Sequence, residues 1–312
     1  MPTVQSNGLR IAYEEFGNPE DPVMLMVQGL GMPLTAWPPA FIDALVAEGF
    51  RVIVFDNRDI GQSQLLHHMK VPNMLVQTLR RKLAMRVKSP YQLTDMMRDV
   101  EGLMDALQIE AAHLVGVSMG GMISQLLAIH EPQRVKTLTS IMSTTGSRQL
   151  PGPTKEVTRH IMRGPKSLTD KGRLEYQWKL WRLLGGPHYR LSDEELAEFL
   201  RRNFERGMTA AGIARQTLAI LAAPSRVAEL RTIDIPTLVI HGDADPLIPV
   251  ECGIDTARAI PAARTAIIEG MGHDLPVALT ERLTRLIAQH AKTGEGSSSV
   301  KPGYPAPSVF ML

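Results

Sequence analysis

The chain is predicted to be an α/β protein: a mostly parallel, eight-stranded sheet with helices on both faces and an inserted helical cap. Three observations predict it. Short apolar segments rich in β-branched residues recur without polar alternation, as in strands covered on both faces. Segments with helical periodicity lie between them across the first half of the chain, which is the pattern of a doubly wound layer structure. That alternation then stops from about residue 146 to 230, where the sequence is helical and charged with no strand.

The elements follow in order. Thr3 to Ser6 and Leu9 to Tyr13 flank Asn7-Gly8, a pair suited to a tight primed turn, so the chain opens as an antiparallel hairpin. Buried parallel strands are expected at Val23 to Val27, Arg51 to Phe55, His113 to Val117, Val135 to Ile141, Pro236 to Ile240 and Arg264 to Ile268. Thr35 can cap a helix that accepts Pro38 and Pro39 in its first turn and ends at Gly49. Further helices are expected at Leu93 to Leu107, just after Ser118 to His130, and from Leu279 onward. The core thus comprises residues 1–145 and 231–291, with a helical excursion near 64–89 where Met74 to Leu83 forms a basic amphipathic helix. The bland reading of that helix, packed against the cap with its Arg and Lys solvated, is preferred over a membrane-surface or acidic-substrate role. The cap, residues 146–230, should contain helices at Leu168 to Leu184, from a capping box at Ser192 to Glu195 through Phe204, and from Thr209 to Leu221. Residues 292–312 read as a Ser/Gly/Pro-rich tail with no fold of its own, although Val309 to Leu312 is apolar enough to dock, for instance on the neighbouring subunit of a homodimer.

Composition excludes some classes of function. With 34 Lys and Arg against 32 Asp and Glu, the overall balance gives no polyanion signal, and nucleic acid is not an expected partner. No apolar run approaches the roughly 20 residues of a membrane span. The N-terminus lacks a basic start and an apolar stretch, and the single cysteine, Cys252, has no internal partner; both favour the cytoplasm.

The chemistry is carried by three separated segments. Gly116-Val117-Ser118-Met119-Gly120 follows an apolar strand and precedes a helix, the setting of a nucleophile elbow in which a strained turn raises a serine hydroxyl above the sheet edge. An ordinary Gly-rich turn is the alternative. A hydroxyl needs a base near pH 7, and of nine histidines His273, in Gly270-Met271-Gly272-His273-Asp274, follows the last strand on a loop that can reach Ser118. His241 is the distractor, expected to hydrogen-bond within its own turn. The imidazole needs a buried carboxylate to hold its tautomer. Asp243 and Asp245 both offer one; Asp245, before Pro246 and deeper in its loop, is preferred, with Asp243 assigned to turn bonding. The oxyanion of an acyl-transfer intermediate needs fixed donors. The N–H of Met119 is one and that of Leu30, in Gln28-Gly29-Leu30-Gly31-Met32, the other, although the same glycines would also serve a plain turn.

Together with Asp56-Asn57-Arg58-Asp59-Ile60-Gly61-Gln62-Ser63, these motifs make the chain resemble the α/β-hydrolase superfamily over about residues 7–290, and most closely carboxylesterases of the aclacinomycin methylesterase kind. The order Ser118, Asp245, His273 matches that superfamily's triad order. The chain departs from that resemblance at two places: most members of the family have His-Gly where it has Gln28-Gly29, and Gly where it has Asp59. Aspartate-nucleophile dehalogenases and epoxide hydrolases share the fold, but Ser118 argues against both.

The expected function is hydrolysis of a small-molecule carboxylic ester through an acyl-enzyme, with no metal and no organic cofactor. The pocket should lie between sheet edge and cap, with Gly29, Met32, Trp37 and Met142 among its walls, although residues of these kinds are more often plain core. The alternatives are a cofactor-free perhydrolase, a carbon–carbon bond hydrolase, or a hydrolase-fold ligand receptor.

Overall fold

The computed structural model describes residues 2–167, 169–261, 263–296 and 309–311. In chain order the elements are β1 (Thr3–Ser6), β2 (Leu9–Phe16), β3 (Val23–Val27), α1 (Pro39–Ala47), β4 (Arg51–Phe55), α2 (Met74–Lys82), α3 (Leu93–Ala106), β5 (Ala112–Val117), α4 (Met119–His130) and β6 (Val135–Ile141). After these come α5 (Lys155–Arg163), α6 (Asp170–Leu184), α7 (Asp193–Arg206), α8 (Ala210–Ala222) and α9 (Val227–Leu230). The chain closes with β7 (Thr237–Gly242), α10 (Val250–Ala259), β8 (Ala263–Ile268), α11 (Thr280–Gly296) and β9 (Val309–Met311). Among the described residues no helix is long and apolar enough to cross a membrane.

One sheet organises the molecule, in the order β1-β2-β4-β3-β5-β6-β7-β8-β9. The first hairpin is antiparallel, turning through Asn7 and Gly8 at φ 47° and 75°, and β2 runs antiparallel to β4. Every later pairing is parallel. The eight expected strands are all present; Val309–Met311 adds a ninth, paired with β8 of its own chain. Residues 309–311 of the expected tail thus belong to this chain's own sheet. The C-terminal helix also runs five residues past the expected boundary at 291, to Gly296. Residues 297–308 and Leu312 lie outside the described residues.

Alternate residues of the central strands feed two cores. Leu25, Val27, Ile53 and Phe55 pack with α3, α4 and α10 on one face. Met24, Met26, Val52 and Val54 pack with α1 and α11 on the other. Both faces are covered, so both sets are apolar, and that produces the unbroken apolar strands in the sequence. Because β3 to β8 are parallel, the segments following them emerge at one edge, and the order reversal between β4-β3 and β5 opens a crevice there.

Between β6 and β7 the chain is helical. Ser192 Oγ accepts from Glu195 N at 3.1 Å and the Glu195 carboxylate accepts from Ser192 N at 2.7 Å, so α7 begins with a complete capping box. Thr169 and Thr209 cap α6 and α8; Leu168, the expected start of the first, lies outside the described residues. Thr35 does not cap α1. Pro38 occupies that position, and Thr35 instead donates its hydroxyl to Asn203 of α7 at 2.8 Å. Helix α2 packs against α8, but Leu75, Val76 and Leu79 face outward rather than into the protein, and of its apolar side chains Met74 alone is half-buried.

Candidate active site

Strand β5 delivers Ser118 to the crevice. Its backbone adopts φ 56° and ψ −117°, outside the ordinary region for a residue with a side chain, and such a conformation costs roughly 1–3 kcal/mol. The flanking glycines explain why the turn can be so sharp: a Cβ at Gly116 would overlap Gly120, and a Cβ at Gly120 would overlap the Val27 carbonyl of β3. The strain leaves Ser118 half-buried, held by its N–H to the Ile141 carbonyl at 2.9 Å and by Ser143 Oγ donating to its carbonyl at 2.7 Å.

The loop after β8 brings His273 to it. Nε2 lies 3.1 Å from Ser118 Oγ, and Nδ1 lies 2.6 Å from Asp245 Oδ2. A carboxylate only accepts, so Nδ1 carries the proton and Nε2 of the neutral ring accepts from the Ser118 hydroxyl. Asp245 is fixed by its other oxygen, which accepts from Leu247 N and Ile248 N at 2.8 Å each. Burial would raise its pKa, but attraction to the protonated form of His273 and hydrogen bonding with His241 and His273 hold it well below the usual carboxylate range. Asp243 turns away and accepts from Gly270 N at 2.7 Å, tying the two loops together. His241 donates Nε2–H to the Ile248 carbonyl at 2.7 Å, within its own turn.

The loop after β3 lies directly against the serine: a Cβ at Gly29 would stand 3.3 Å from Ser118 Cβ. Two glutamines set its backbone. Gln28 Oε1 accepts from Gly29 N at 3.0 Å, and Gln216 Oε1 of α8 accepts from Gly31 N at 2.8 Å. The N–H of Leu30 between them is spent on no acceptor among the described residues, nor is that of Met119 in the first turn of α4, where helix N–H groups have no internal partner. Gln28 thus gives the loop polar support from its own side chain, and Gln216 is a contributor the sequence did not reveal.

A cavity of about 490 Å³ opens beside Ser118 and His273, its walls mainly apolar. Gly29, Leu30, Met32 and Met142 line it from the core, and Tyr176, Leu180, Trp181, Phe199 and Ile213 from the inserted helices. Trp37 does not reach it. Its indole is fully buried beneath the loop, 5.8 Å from the ring of Phe41, so Trp37 is a core residue. Met119 also packs its side chain into the core, and it is not among the residues that line the cavity. Asp274 also lines the cavity and was not expected there. It is buried, its Oδ1 has no partner among the described residues, and burial pushes its carboxyl up to about 7. Cys252 lies apart from the serine's hydrogen-bond chain, and burial raises its thiol to about 11.

Asp59 has φ 70°. That left-handed backbone is one glycine adopts without strain. Here the carboxylate is used: it binds Arg215 of α8 at 2.6 and 2.7 Å and accepts from Leu66 N at 2.7 Å, fastening the inserted helices to the core.

A parallel sheet with a serine on the turn after β5, a histidine after β8 and a carboxylate after β7 defines the α/β-hydrolase class. A family model of the α/β hydrolase fold matches residues 22–277, and the chain belongs to that family. It is 31% identical to the rhodomycin D methylesterase DnrP of Streptomyces peucetius, over 94% of this chain and 99% of that protein. It has the same identity to the rhodomycin D methylesterase DauP of Streptomyces sp. strain C5, again over 94% and 99%. Among solved structures, a meta-cleavage product hydrolase from Pseudomonas fluorescens IP01 superposes with a TM-score of 0.72 at 20% identity, covering 94% of this chain and 98% of that one.

Proposed function

We propose that the chain is a serine carboxylic-ester hydrolase with Ser118 as nucleophile, His273 as general base and Asp245 as the carboxylate that orients it. The observation that carries this reading is the continuous hydrogen-bond chain from Ser118 Oγ through His273 to Asp245 at the wall of an apolar cavity. Ser118 Oγ attacks the ester carbonyl carbon while its proton passes to His273 Nε2. The carbonyl oxygen becomes an oxyanion and is received by the N–H groups of Leu30 and Met119, at the positive end of α4. Collapse breaks the carbon–oxygen bond; the alkoxide leaves with the proton from His273, and the acyl group stays on Ser118. A water then gives a proton to His273 and attacks the acyl carbon. The second collapse returns that proton to Ser118 and releases the acid.

The cavity and the methylesterase relatives together support a bulky, largely apolar acid esterified with a small alcohol, the acyl body lying under helices that act as a cap. Gas-chromatographic assay for methanol release from methyl esters of polycyclic aromatic acids tests this. Turnover should be clear in the native chain and fall at least about 10⁴-fold in Ser118→Ala. A fluorophosphonate should phosphonylate Ser118 alone, losing fluoride, so that the mass gained is that of the reagent less HF. Undiminished turnover in Ser118→Ala would overturn the assignment, and turnover confined to carbon–carbon cleavage of a diketone would replace the substrate class.

A further inference from the structure

Helix α2 is inverted relative to an ordinary surface helix. Taking 100° per residue, Leu75, Val76, Leu79 and Leu83 fall within an arc of about 100°, and all four are exposed, Leu75 by 75%. The side facing the protein is polar: Gln77 is buried, accepting from Lys88 N at 2.8 Å, and Arg81 is half-buried, directed at the Ala223 carbonyl. With Val71 and Met85, this excursion holds six of the nine large hydrophobic side chains exposed among the described residues.

Charge is equally one-sided. Lys70, Arg80, Arg81, Lys82, Arg86 and Lys88 lie between residues 60 and 94, and no Asp or Glu does. Six of the 34 Lys and Arg residues are therefore gathered here against none of the 32 acids, so the rest of the chain is net acidic. None of the six forms an ion pair among the described residues, and Lys70, Lys82, Arg86 and Lys88 are exposed. Arg80 and Lys82 flank the apolar arc on its two sides.

We propose that α2 and its flanks are a docking surface for an anionic lipid bilayer, the leucines entering the headgroup boundary and the cations resting on acidic headgroups. An apolar stripe bordered by cations matches that boundary in both polarity and charge. Self-association through the same face would set six cations against six, which charge repulsion opposes. The surface would hold the enzyme where apolar esters partition, yet it stands independently of the role of Ser118.

Co-sedimentation of the full chain with vesicles of phosphatidylcholine alone, and with added phosphatidylglycerol, tests the proposal. The chain should pellet with the phosphatidylglycerol vesicles, stay in solution with phosphatidylcholine alone, and be released by high salt. Leu75→Ser/Leu79→Ser and, separately, Lys82→Glu/Arg86→Glu should each weaken binding by about tenfold or more. Both variants change side chains already in water, so circular dichroism and melting temperature should be unaltered. Failure to pellet with anionic vesicles, or equal binding by either variant, would overturn the proposal. So would dimerisation in ultracentrifugation that Leu75→Ser/Leu79→Ser abolishes without any vesicle binding.

Discussion

Asp274 follows the candidate base directly, and its environment makes a prediction of definite sign. Burial is the main cause of its raised pKa of about 7, and the nearby Asp245 adds to it, while His273 works in the opposite direction. In the unfolded chain the same carboxyl ionises near the ordinary value of 3.8. Below that both states hold the proton and the group costs nothing. As pH rises toward 7 only the unfolded state releases it, so native stability drains away by at most about 1.4 kcal/mol per pH unit, and the loss levels off above 7. Asp274→Asn removes this dependence. Urea unfolding from pH 4 to 8 should show the variant gaining on the native chain up to about pH 7 and then running parallel. Parallel curves throughout would show that Asp274 is ionised in the folded state.

Asp59 presents a contest between two residue-scale effects. Glycine would relieve the positive φ, a gain of up to about 1 kcal/mol. Removing the carboxylate would strand Arg215, whose side chain is only 2% exposed, and an uncompensated buried charge costs about 3–5 kcal/mol. The charge should win, so Asp59→Gly is expected to destabilise by roughly 2–4 kcal/mol. Asp59→Gly/Arg215→Leu should recover most of that loss in a double-mutant cycle, because no charge is then left unpaired. Additive losses would contradict this account.

At the scale of elements, the contact between β3 and α4 is the least forgiving. Gly120→Ala would drive a methyl group into the Val27 carbonyl, and backbone cannot step aside as a side chain can. Melting temperature and ester turnover should therefore fall together. Gly152→Ala, whose added carbon meets nothing within 4 Å, should leave both unchanged and serves as the control. The glycines of the elbow were legible in the sequence for this same reason: a close approach imposes a residue type, and a residue type is visible. The capping box at Ser192 and the Asn7-Gly8 turn were legible on similar local grounds. Helix α5 escaped although Val157, Ile161 and Met162 lie on one side of it: it is short and highly charged, and of these only Val157 is buried. Trp37, Asp274 and the outward face of α2 escaped for a different reason. An indole in the core and one on a cavity wall look alike in sequence, and α2 has the period of a packed helix with the packing on the wrong side.

The whole molecule divides into parts of unequal cohesion. In α4, ten residues are buried. In α6, which is longer, only Leu184 is: Tyr176, Leu180 and Trp181 line the cavity, Tyr176 stacked on His160 of α5 and Trp181 edge-on to Phe199 of α7. Elements with few buried contacts open at lower free energy than the global unfolding, so α5 and α6 should exchange amide hydrogens well before β3, β5 and α4. An occupant of the cavity supplies the apolar contacts that α6 lacks, and anything bound only to the closed form stabilises it by mass action. Inhibition by a bulky aryl phosphonate at Ser118 should therefore slow hydrogen exchange in α6 strongly, in α7 and α8 less, and in the sheet hardly at all. A small methyl phosphonate on the same oxygen tests whether occupancy or mere phosphonylation matters. It fills little of the cavity and should leave α6 near its free rate. Equal protection by the two inhibitors would mean that the covalent bond, and not the filled cavity, holds these helices down.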